Sequence, residues 1–383
     1  MITVADRSGD EPLGYRREER IPPLPLVTVV IPCYNEERHI GPCLESIFRD
    51  QYDQEHLRVV VVDGMSTDAT RSIVGRFAER HANLHVLDNP SRLKPKALNL
   101  ALRRFPAAVF IRVDAHALYP PNYISSLVRG LEESGSDNIG GVLLAAEGES
   151  PMAKAIAVAI THPFTAGNAL HRTGASKPKL VDTVFGGCYR WDIIRKVGWF
   201  NEKLVRTQDR EYNIRVRAAG GRILLDPSIR CVYFPRSRFV EYVKWTYDGS
   251  RWLFEAPRFT RAPMLHVRNF VPVSFVLYHI VPPLAAVVGR DLAILSTLPI
   301  AAYYTLAVCV SIKEAVRRKQ WALLLPVFAV MVATHYSYGA GSLVGLLRRI
   351  VLPKDIDRTS DPMPGDVPCV AGHGHLPLNR DPR

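Results

Sequence analysis

The chain has 383 residues, of which 47% are hydrophobic and 22% charged, and this globular composition excludes wholesale disorder. Its mean hydropathy is close to zero, which favours a chain that is partly water-soluble and partly membrane-embedded. Lysine and arginine exceed aspartate and glutamate by 12, so we expect anionic partners: nucleic acid, phosphates or acidic lipid headgroups. Six cysteines without a C-x-x-C spacing argue against a disulfide scaffold and against a structural zinc site.

Strand-like and helix-like runs alternate through the first part of the chain. Residues 1–25 have no apolar targeting segment and are expected to form a flexible tail, with the folded part after them in the cytoplasm. Short loops between the runs predict an α/β fold with a doubly wound, mostly parallel sheet over residues 26–235. The predicted strands are 26–32, 57–64, 84–90 and 108–117, and the predicted helices are 39–48, 69–81 and 95–105.

Polar residues follow the predicted strands at their carboxyl ends, where ligands of such sheets bind. Tyr34 and Glu36 follow the first strand, and Asp63 ends the second. Asp114 and His116 lie at the end of the fourth. Turn formation is the alternative explanation for some of these residues. Their shared position predicts a binding site at one rim of the sheet.

Three uncharged apolar runs follow a basic and aromatic stretch at residues 236–268, which we expect to be an interfacial, amphipathic region that contacts anionic lipid. A spanning helix needs roughly 20 such residues. The runs therefore predict a transmembrane region over residues 269–349, with a buried helical subdomain as the alternative. Their bounds are about 270–288, 292–312 and 321–347.

The basic residues predict how these segments are oriented. The connection at 313–320 carries four Lys or Arg residues and is expected in the cytoplasm. The short connection at 289–291 suits an outside hairpin. Two arrangements stay open for the last segment: a single span places Arg348 and Arg349 outside, and a re-entrant hairpin returns them to the cytoplasm. Residues 350–383 are predicted to be a disordered tail.

Six motifs between residues 30 and 265 resemble, in order and spacing, those of the family 2 glycosyltransferases with a GT-A fold. The D-A-H-A variant at 114–117 and the apolar C-terminal part are most similar to the succinoglycan-type exopolysaccharide glucosyltransferases. The motifs are IPCYNEE (31–37), VVDGMSTDAT (61–70), KPKALNLAL (94–102), RVDAHA (112–117), FGGCYRWDIIRKVGWFNE (185–202) and TQDREYNIRVRAAGG (207–221).

The resemblance implies a nucleotide-sugar donor site on the strand-end residues. Asp63 would accept a hydrogen bond from the nucleotide base, although a turn or cap role is the alternative. Asp68 is expected to cap or support the following helix. Lys94 would meet phosphate charge, although a solvated surface position is nearly as plausible. The implied nucleotide-binding residues are Pro32, Tyr34, Glu36, Asp63, Lys94 and Asp114.

The resemblance also implies a divalent cation, Mn²⁺ or Mg²⁺, at Asp114 and His116. A cation neutralises the diphosphate as the glycosidic bond breaks. The family usually has an acidic residue where this chain has His116. Imidazole suits Mn²⁺ better than Mg²⁺, so Mn²⁺ is favoured. A histidine that only packs at the strand end is the alternative.

The family's catalytic carboxylate corresponds to Asp209, which would remove the acceptor proton in an inverting transfer. An ordinary helix N-cap is the alternative role. Gln208 replaces the preceding Glu of the family, and the loss of this negative neighbour should lower the pKa of Asp209. YDGSRW (247–252) resembles the Q-x-x-R-W motif of processive synthases, but its first position is changed, so transfer of one sugar is favoured. The implied acceptor or diphosphate contacts are Gly187, Gln208, Arg251 and Trp252.

From the motifs and the apolar segments together, we expect the chain to be a membrane-bound inverting glycosyltransferase of exopolysaccharide or cell-envelope biosynthesis. The resemblance implies transfer of one sugar, glucose from UDP-glucose, to a polyprenyl-diphosphate-linked glycan. Expected partners are the nucleotide sugar, the lipid-linked glycan, anionic membrane lipid and other polysaccharide-assembly proteins, but no nucleic acid. The expected location is the inner or plasma membrane, in a multi-pass arrangement with the catalytic domain in the cytoplasm. A processive polysaccharide synthase and a non-catalytic membrane scaffold are the alternatives.

Overall fold

Alternate residues of the central strands face two separate hydrophobic cores, which is why these strands are continuous apolar runs in the sequence. The computed structural model describes residues 24–357. The strands are β1 Val27–Cys33, β2 Leu57–Asp63, β3 Leu84–Asp88, β4 Val109–Arg112, β5 Ala117–Leu118, β6 Asn138–Ala145, β7 Lys179–Leu180, β8 Phe185–Arg190 and β9 Ile223–Tyr233. The first ten helices are α1 Ile40–Phe48, α2 Thr70–Ala78, α3 Lys94–Arg104, α4 Tyr123–Ser134, α5 Pro151–Thr161, α6 Pro163–Ala166, α7 Leu170–Thr173, α8 Trp191–Val197, α9 Gln208–Ala218 and α10 Phe239–Glu255.

The sheet is parallel in its first half and mixed in its second. Its strand order is β3-β2-β1-β4-β8-β6-β9-β5, with β7 paired to β9. The first four strands in this order are parallel, as the alternation of strands and helices predicts. β8 runs antiparallel to both β4 and β6. The carboxyl ends of β1, β2, β3 and β4 therefore meet at one rim.

The predicted fourth strand is divided in two. β4 ends at Arg112, and Asp114 lies in the gap before β5. The Asp114 N–H donates to the Tyr119 hydroxyl at 2.8 Å instead of joining a strand ladder. This interruption allows the Asp114 side chain to reach the rim.

The C-terminal part consists of α11 Val271–Tyr278, α12 Val281–Val288, α13 Arg290–Arg317 and α14 Leu324–Val351. α13 and the helical stretch at Trp321–Val351 are long and apolar enough to cross a membrane. The predicted segment 270–288 is broken into α11 and α12, with a bend of 48° between Val267–Tyr278 and Val281–Val288. Prolines at 282 and 283 open α12, and they lack the backbone N–H groups that would continue the preceding helix.

α14 is one uninterrupted helix that runs along α10, without a re-entrant bend. Thr334 and Ser337 bond to α10 residues, at 2.9 Å to Tyr242 and 2.6 Å to Thr246. At positions 341 and 345 an added Cβ would lie 2.3 Å from atoms of α10, so both glycines permit close helix packing. α14 therefore packs along α10 over much of its length, and it also contacts α5 of the catalytic domain.

Candidate active site

The carboxylate of Asp63 organises the end of β2. It accepts hydrogen bonds from the Ser66 N–H at 3.1 Å and the Ser66 hydroxyl at 2.5 Å. Arg71 bridges Asp63 and Asp88, with its Nη1 atom 2.7 Å from an oxygen of each. The Asp63 side chain is only 2% exposed. Asp63 therefore fixes the loop after β2, and the pairing with Asp88 joins the ends of two neighbouring strands.

The loop after β1 lies directly beside that after β2. The Asn35 N–H donates to the Ser66 hydroxyl at 2.9 Å, and Asn35 has a positive φ of 52°. Tyr34 is exposed, and the guanidinium of Arg92 lies 4.7 Å from its ring centroid. Such an open aromatic face next to a cation suits stacking against a base. Pro32 lies one residue from the end of β1, in register with Val62.

Asp68 has the supporting role that the sequence predicts. Its two oxygens accept the N–H groups of Thr70 at 3.0 Å and of Glu37 at 3.1 Å. These bonds join the first turn of α2 to the loop after β1. Desolvation raises the pKa of Asp68, but its hydrogen bonds to Thr70 and Glu37 together outweigh this effect and lower that pKa.

Asp114 is a buried carboxylate held between two cations. Lys94, at the first turn of α3, forms an ion pair with its Oδ1 atom. The Arg112 Nη2 atom lies 3.2 Å from the same oxygen. Burial alone would raise the pKa of Asp114, but Lys94 and Arg112 outweigh it and hold that pKa well below its usual range. Asp114 is therefore ionised.

Arg112 connects Asp114 to Asp209. Its Nη1 atom lies 3.3 Å from the Oδ2 atom of Asp209, and its side chain is only 7% exposed. Its Nε atom is buried without a hydrogen-bond partner. Burial raises the pKa of Asp209, but Arg112 and then Lys94 lower it further than burial raises it. The structure thus gives Asp209 a lowered pKa through two cations, in addition to the missing negative neighbour noted in the sequence.

Asp209 lies in the first turn of α9 and is accessible. Its side chain is 40% exposed, unlike that of Asp114. Thr207, at the start of the helix, has a left-handed φ of 63°, and Gln208 is buried. The other carboxylate of this turn, Glu211, is tied to Arg215 at 2.9 Å and so is occupied in the fold. Asp209 is the carboxylate of this turn that a ligand can reach.

His116 faces Glu36 across the rim. The Nδ1 atom of His116 lies 2.8 Å from a carboxylate oxygen of Glu36, and the ring makes an edge contact with Tyr233 at 5.1 Å. A carboxylate that accepts from Nδ1 leaves Nε2 as the nitrogen with a free lone pair. In the described part of the chain, no three His, Cys, Asp or Glu side chains converge as a metal cluster.

Gly187 lies in β8, next to the Tyr189 ring. Its φ is 112°, and an added Cβ would lie 2.7 Å from that ring. A side chain at this position is therefore excluded by both backbone conformation and space.

Arg251 and Trp252 have no observed contact with Asp114 or Asp209. Arg251 lies 3.1 Å from Glu255 and 3.7 Å from Asp248, so its charge is already paired. Trp252 packs near Phe259 at 6.0 Å. Their predicted contacts to acceptor or diphosphate thus gain no support from the geometry.

Sequence reasoning missed Arg112, the residue that joins the two carboxylates. The signal was present, because Arg112 and Asp114 are two residues apart at a strand end and such residues share a face. Arg71 was also missed, and its position in α2 shows no pattern that would single it out. The rim of the mixed sheet thus brings together a buried arginine and two carboxylates, at the edge where α/β sheets bind their ligands.

Comparison with known proteins identifies the family. Residues 28–174 match the family model described as Glycosyl transferase family 2. The chain is 34% identical over 223 residues to the succinoglycan biosynthesis protein ExoA of Rhizobium meliloti, covering 58% of this chain and 66% of that protein. Residues 28–174 therefore form a family 2 glycosyltransferase domain.

Two further proteins are similar over a large part of the chain. A dolichyl N-acetyl-alpha-D-glucosaminyl phosphate 3-beta-D-2,3-diacetamido-2,3-dideoxy-beta-D-glucuronosyltransferase of Methanococcus voltae is 25% identical over 229 residues, which cover 58% of this chain and 70% of that protein. The structure of the mannosyltransferase PcManGT from Pyrobaculum calidifontis, in complex with GDP-Man and Mn²⁺, superposes with a TM-score of 0.55 at 22% identity. It covers 85% of this chain and 87% of that one, and it shows the shared fold.

Proposed function

We propose that this protein is a membrane-bound inverting glycosyltransferase that adds one sugar, glucose from UDP-glucose, to a polyprenyl-diphosphate-linked glycan during exopolysaccharide or cell-envelope biosynthesis. The observation that carries the proposal is the Arg112 bridge, with Nη2 3.2 Å from Asp114 and Nη1 3.3 Å from Asp209. It places a buried carboxylate of the donor side next to an accessible carboxylate in the first turn of α9.

Asp209 is the general base of this proposal. Its carboxylate accepts the proton of the acceptor hydroxyl as that oxygen attacks the anomeric carbon. Arg112 and Lys94 lower the pKa of Asp209 against the effect of burial, so the base is ionised across the physiological pH range. Inversion agrees with the beta linkage in the name of the archaeal relative.

The donor set fits a divalent cation that arrives with a diphosphate. Asp114 offers a carboxylate and His116 an imidazole nitrogen, and Glu36 orients that imidazole through its Nδ1 atom. The other ligands would be diphosphate oxygens and water. When bound, the cation neutralises the charge that develops on the leaving diphosphate. The presence of Mn²⁺ in the fold relative and the histidine ligand both favour Mn²⁺.

The relatives support the choice of pathway and acceptor. The name of the bacterial relative places it in succinoglycan biosynthesis. That of the archaeal relative specifies an acceptor sugar linked to dolichyl through a single phosphate, which supports a lipid-linked acceptor but not the diphosphate itself. The motif similarity to exopolysaccharide glucosyltransferases supports glucose as the donor sugar. The change from Gln to Asp248 in the Q-x-x-R-W motif supports transfer of a single sugar.

The contacts of the C-terminal helices support membrane attachment through one inserted hairpin. α12 and α13 contact each other, and most of α13 is exposed, as expected of a hairpin in lipid. α14 has contacts with the catalytic domain near both ends. Before it, Arg318 pairs with Glu147, and near its end Arg348 lies 3.0 Å from Glu255. We therefore propose that α14 lies along the membrane surface instead of crossing it, unlike the predicted third span.

This arrangement places both basic ends of α14 on the cytoplasmic side. Lys154 of the catalytic domain bonds Gln320 at 3.3 Å, and the Glu202 N–H donates to Asp357 at 2.7 Å, beyond the end of α14. A fluorescent protein and an alkaline phosphatase fused after the last residue distinguish the arrangements. Fluorescence without phosphatase activity supports the surface helix, and phosphatase activity contradicts it.

The activity is tested with the detergent-solubilised full chain, a panel of UDP-sugars, Mn²⁺ or Mg²⁺ and a polyprenyl-diphosphate glycan extract. We expect acceptor-dependent UDP release with UDP-glucose and a product one sugar longer. A ladder of products would instead identify a processive synthase. If no donor supports UDP release and calorimetry detects no nucleotide binding, the result would support the non-catalytic scaffold.

A further inference from the structure

Three arginines converge on the side of the site where the catalytic domain meets α10, and none of them pairs with a carboxylate of the described residues. Arg172 lies in α7, Arg206 precedes α9, and Arg236 follows β9. None forms an ion pair or a side-chain hydrogen bond within residues 24–357. Three elements far apart in the sequence thus bring unpaired guanidinium groups to one region.

Trp245 of α10 marks the centre of this region. The guanidinium of Arg172 lies 5.4 Å from its ring centroid, and that of Arg236 lies 5.8 Å from it. Burial lowers the pKa of Arg206, and the positive charge of Arg236 lowers it further, in agreement with a position of Arg206 in this region. Asp248 offsets part of this charge, but it lies 3.7 Å from Arg251 and is shared with it.

The region adjoins the catalytic centre through Tyr233. The Tyr233 ring lies 5.1 Å from that of His116. Burial and then Asp114 raise the pKa of Tyr233, whereas Arg236 and Arg172 lower it, so the tyrosine is near both charge clusters. The unpaired arginines therefore lie one aromatic side chain away from the proposed donor site.

The region also adjoins the apolar helices. Tyr242, one turn before Trp245 on α10, bonds Thr334 of α14 at 2.9 Å. A molecule whose charged group lies against the arginines would therefore have the apolar helices on one side of that group and the catalytic centre on the other. A lipid-linked glycan has this order of parts, with the diphosphate between the lipid and the sugar.

We propose that Arg172, Arg206 and Arg236 form the site that binds the diphosphate of the lipid-linked acceptor. The proposal rests on the proposed function, because it assigns the acceptor of that reaction. Guanidinium groups bind phosphate oxygens through paired, charge-assisted hydrogen bonds. Partial burial of Arg172 and Arg206 strengthens these bonds, and the missing carboxylate partners leave the guanidinium groups available. Arg251, which Glu255 and Asp248 neutralise, does not belong to this site.

The test measures binding instead of turnover, so its outcome is independent of the donor sugar. The probe is geranylgeranyl diphosphate, titrated into the full chain in phosphatidylcholine nanodiscs. We expect Arg206→Ala and Arg236→Ala each to weaken its binding about 10-fold or more. UDP affinity should not change. Arg236 is exposed, so its variant should fold normally.

Arg238→Ala is the matched control, because Arg238 is two residues from Arg236, exposed, and paired with Glu241 at 3.4 Å. It should bind the probe like the unmodified protein. Equal loss of UDP affinity in the arginine variants would assign the site to the donor and overturn the proposal. Probe binding no tighter than that of phosphatidylglycerol would overturn it in favour of a general headgroup site. If the probe binds normally but no sugar transfer is detected, the result would contradict only the proposed function.

Discussion

Charged side chains are paired with opposite charges on the proposed donor side of the site, whereas on its membrane-facing side they are unpaired. On the donor side, Asp63 and Asp114 are buried and each is held by an arginine or lysine. On the membrane-facing side, Arg206 and Arg236 have no such partner among the described residues. A buried charge that has a partner is held in a fixed position before a ligand binds, whereas an unpaired guanidinium group can pair with an incoming anion. The comparison agrees with the proposal of a preformed donor site and of an acceptor site that its ligand completes.

The largest expected effect is that of Asp209→Asn. The amide cannot accept the acceptor proton, so transfer should fall by about 10²- to 10⁴-fold. Its shape is retained next to Arg112, so the fold and the nucleotide affinity should be preserved. Initial rates of UDP release with acceptor present measure this change. Activity within a few-fold of the unmodified protein would remove Asp209 as the base.

Arg112→Met breaks the link between the two carboxylates. Without this cation the pKa of Asp209 should rise, because burial still raises it and one of the two lowering charges is gone. A base is active only when ionised, so the acidic limb of the kcat/KM profile should move to higher pH by about 1 to 3 units. An unchanged acidic limb, in a variant that binds UDP normally, would show that Arg112 does not tune Asp209.

Glu36→Ala tests how the imidazole of His116 is oriented. The loss of such a carboxylate partner typically weakens metal affinity by about 10- to 100-fold. The measurement is the Mn²⁺ concentration that supports half-maximal UDP binding. Glu37→Ala is the control, since Glu37 accepts the Ala69 N–H at 3.1 Å and has no contact with His116. The same change in both variants would assign Glu36 a structural role only.

The smallest effect is expected for Asp68, which supports the loops next to the proposed donor site. Asp68→Ala removes two hydrogen bonds at the start of α2 and should lower the free energy of unfolding by about 1 kcal/mol. Thermal unfolding of the full chain in detergent measures the change, with Glu79→Ala near the end of the same helix as control. UDP affinity should change little. A large loss of UDP affinity would place Asp68 in the donor site itself.

The part of the fold that the sequence predicted well is the part dominated by local pattern. The strand predicted at 57–64 is observed at Leu57–Asp63, and the helix predicted at 95–105 at Lys94–Arg104, because buried apolar runs and helical spacing are local signals. The antiparallel β8 and the break between β4 and β5 depend on distant partners. Such pairing leaves little trace in a single sequence.

The residues of the site likewise fall into those that a local motif predicts and those that only the structure brings together. The motif residues Asp114 and Asp209 were found, since a strand end and a helix start are visible in sequence. That Arg112 lies between them required the structure, because the two carboxylates are 95 positions apart. The convergence of Arg172 with Arg236 depends on three-dimensional packing in the same way. Hydropathy alone also could not separate α13 from α14, because both are long and apolar enough to cross a membrane and they differ in their contacts.

The most direct test of this account compares UDP affinity in Asp114→Asn and Asp209→Asn by calorimetry with Mn²⁺ present. Both changes are isosteric, and both remove one carboxylate from the same arginine. The account predicts a large loss of UDP affinity for Asp114→Asn and none for Asp209→Asn, with transfer abolished in both. Equal loss of UDP affinity in both variants, or none in either, would contradict the division of donor binding and proton removal between the two carboxylates.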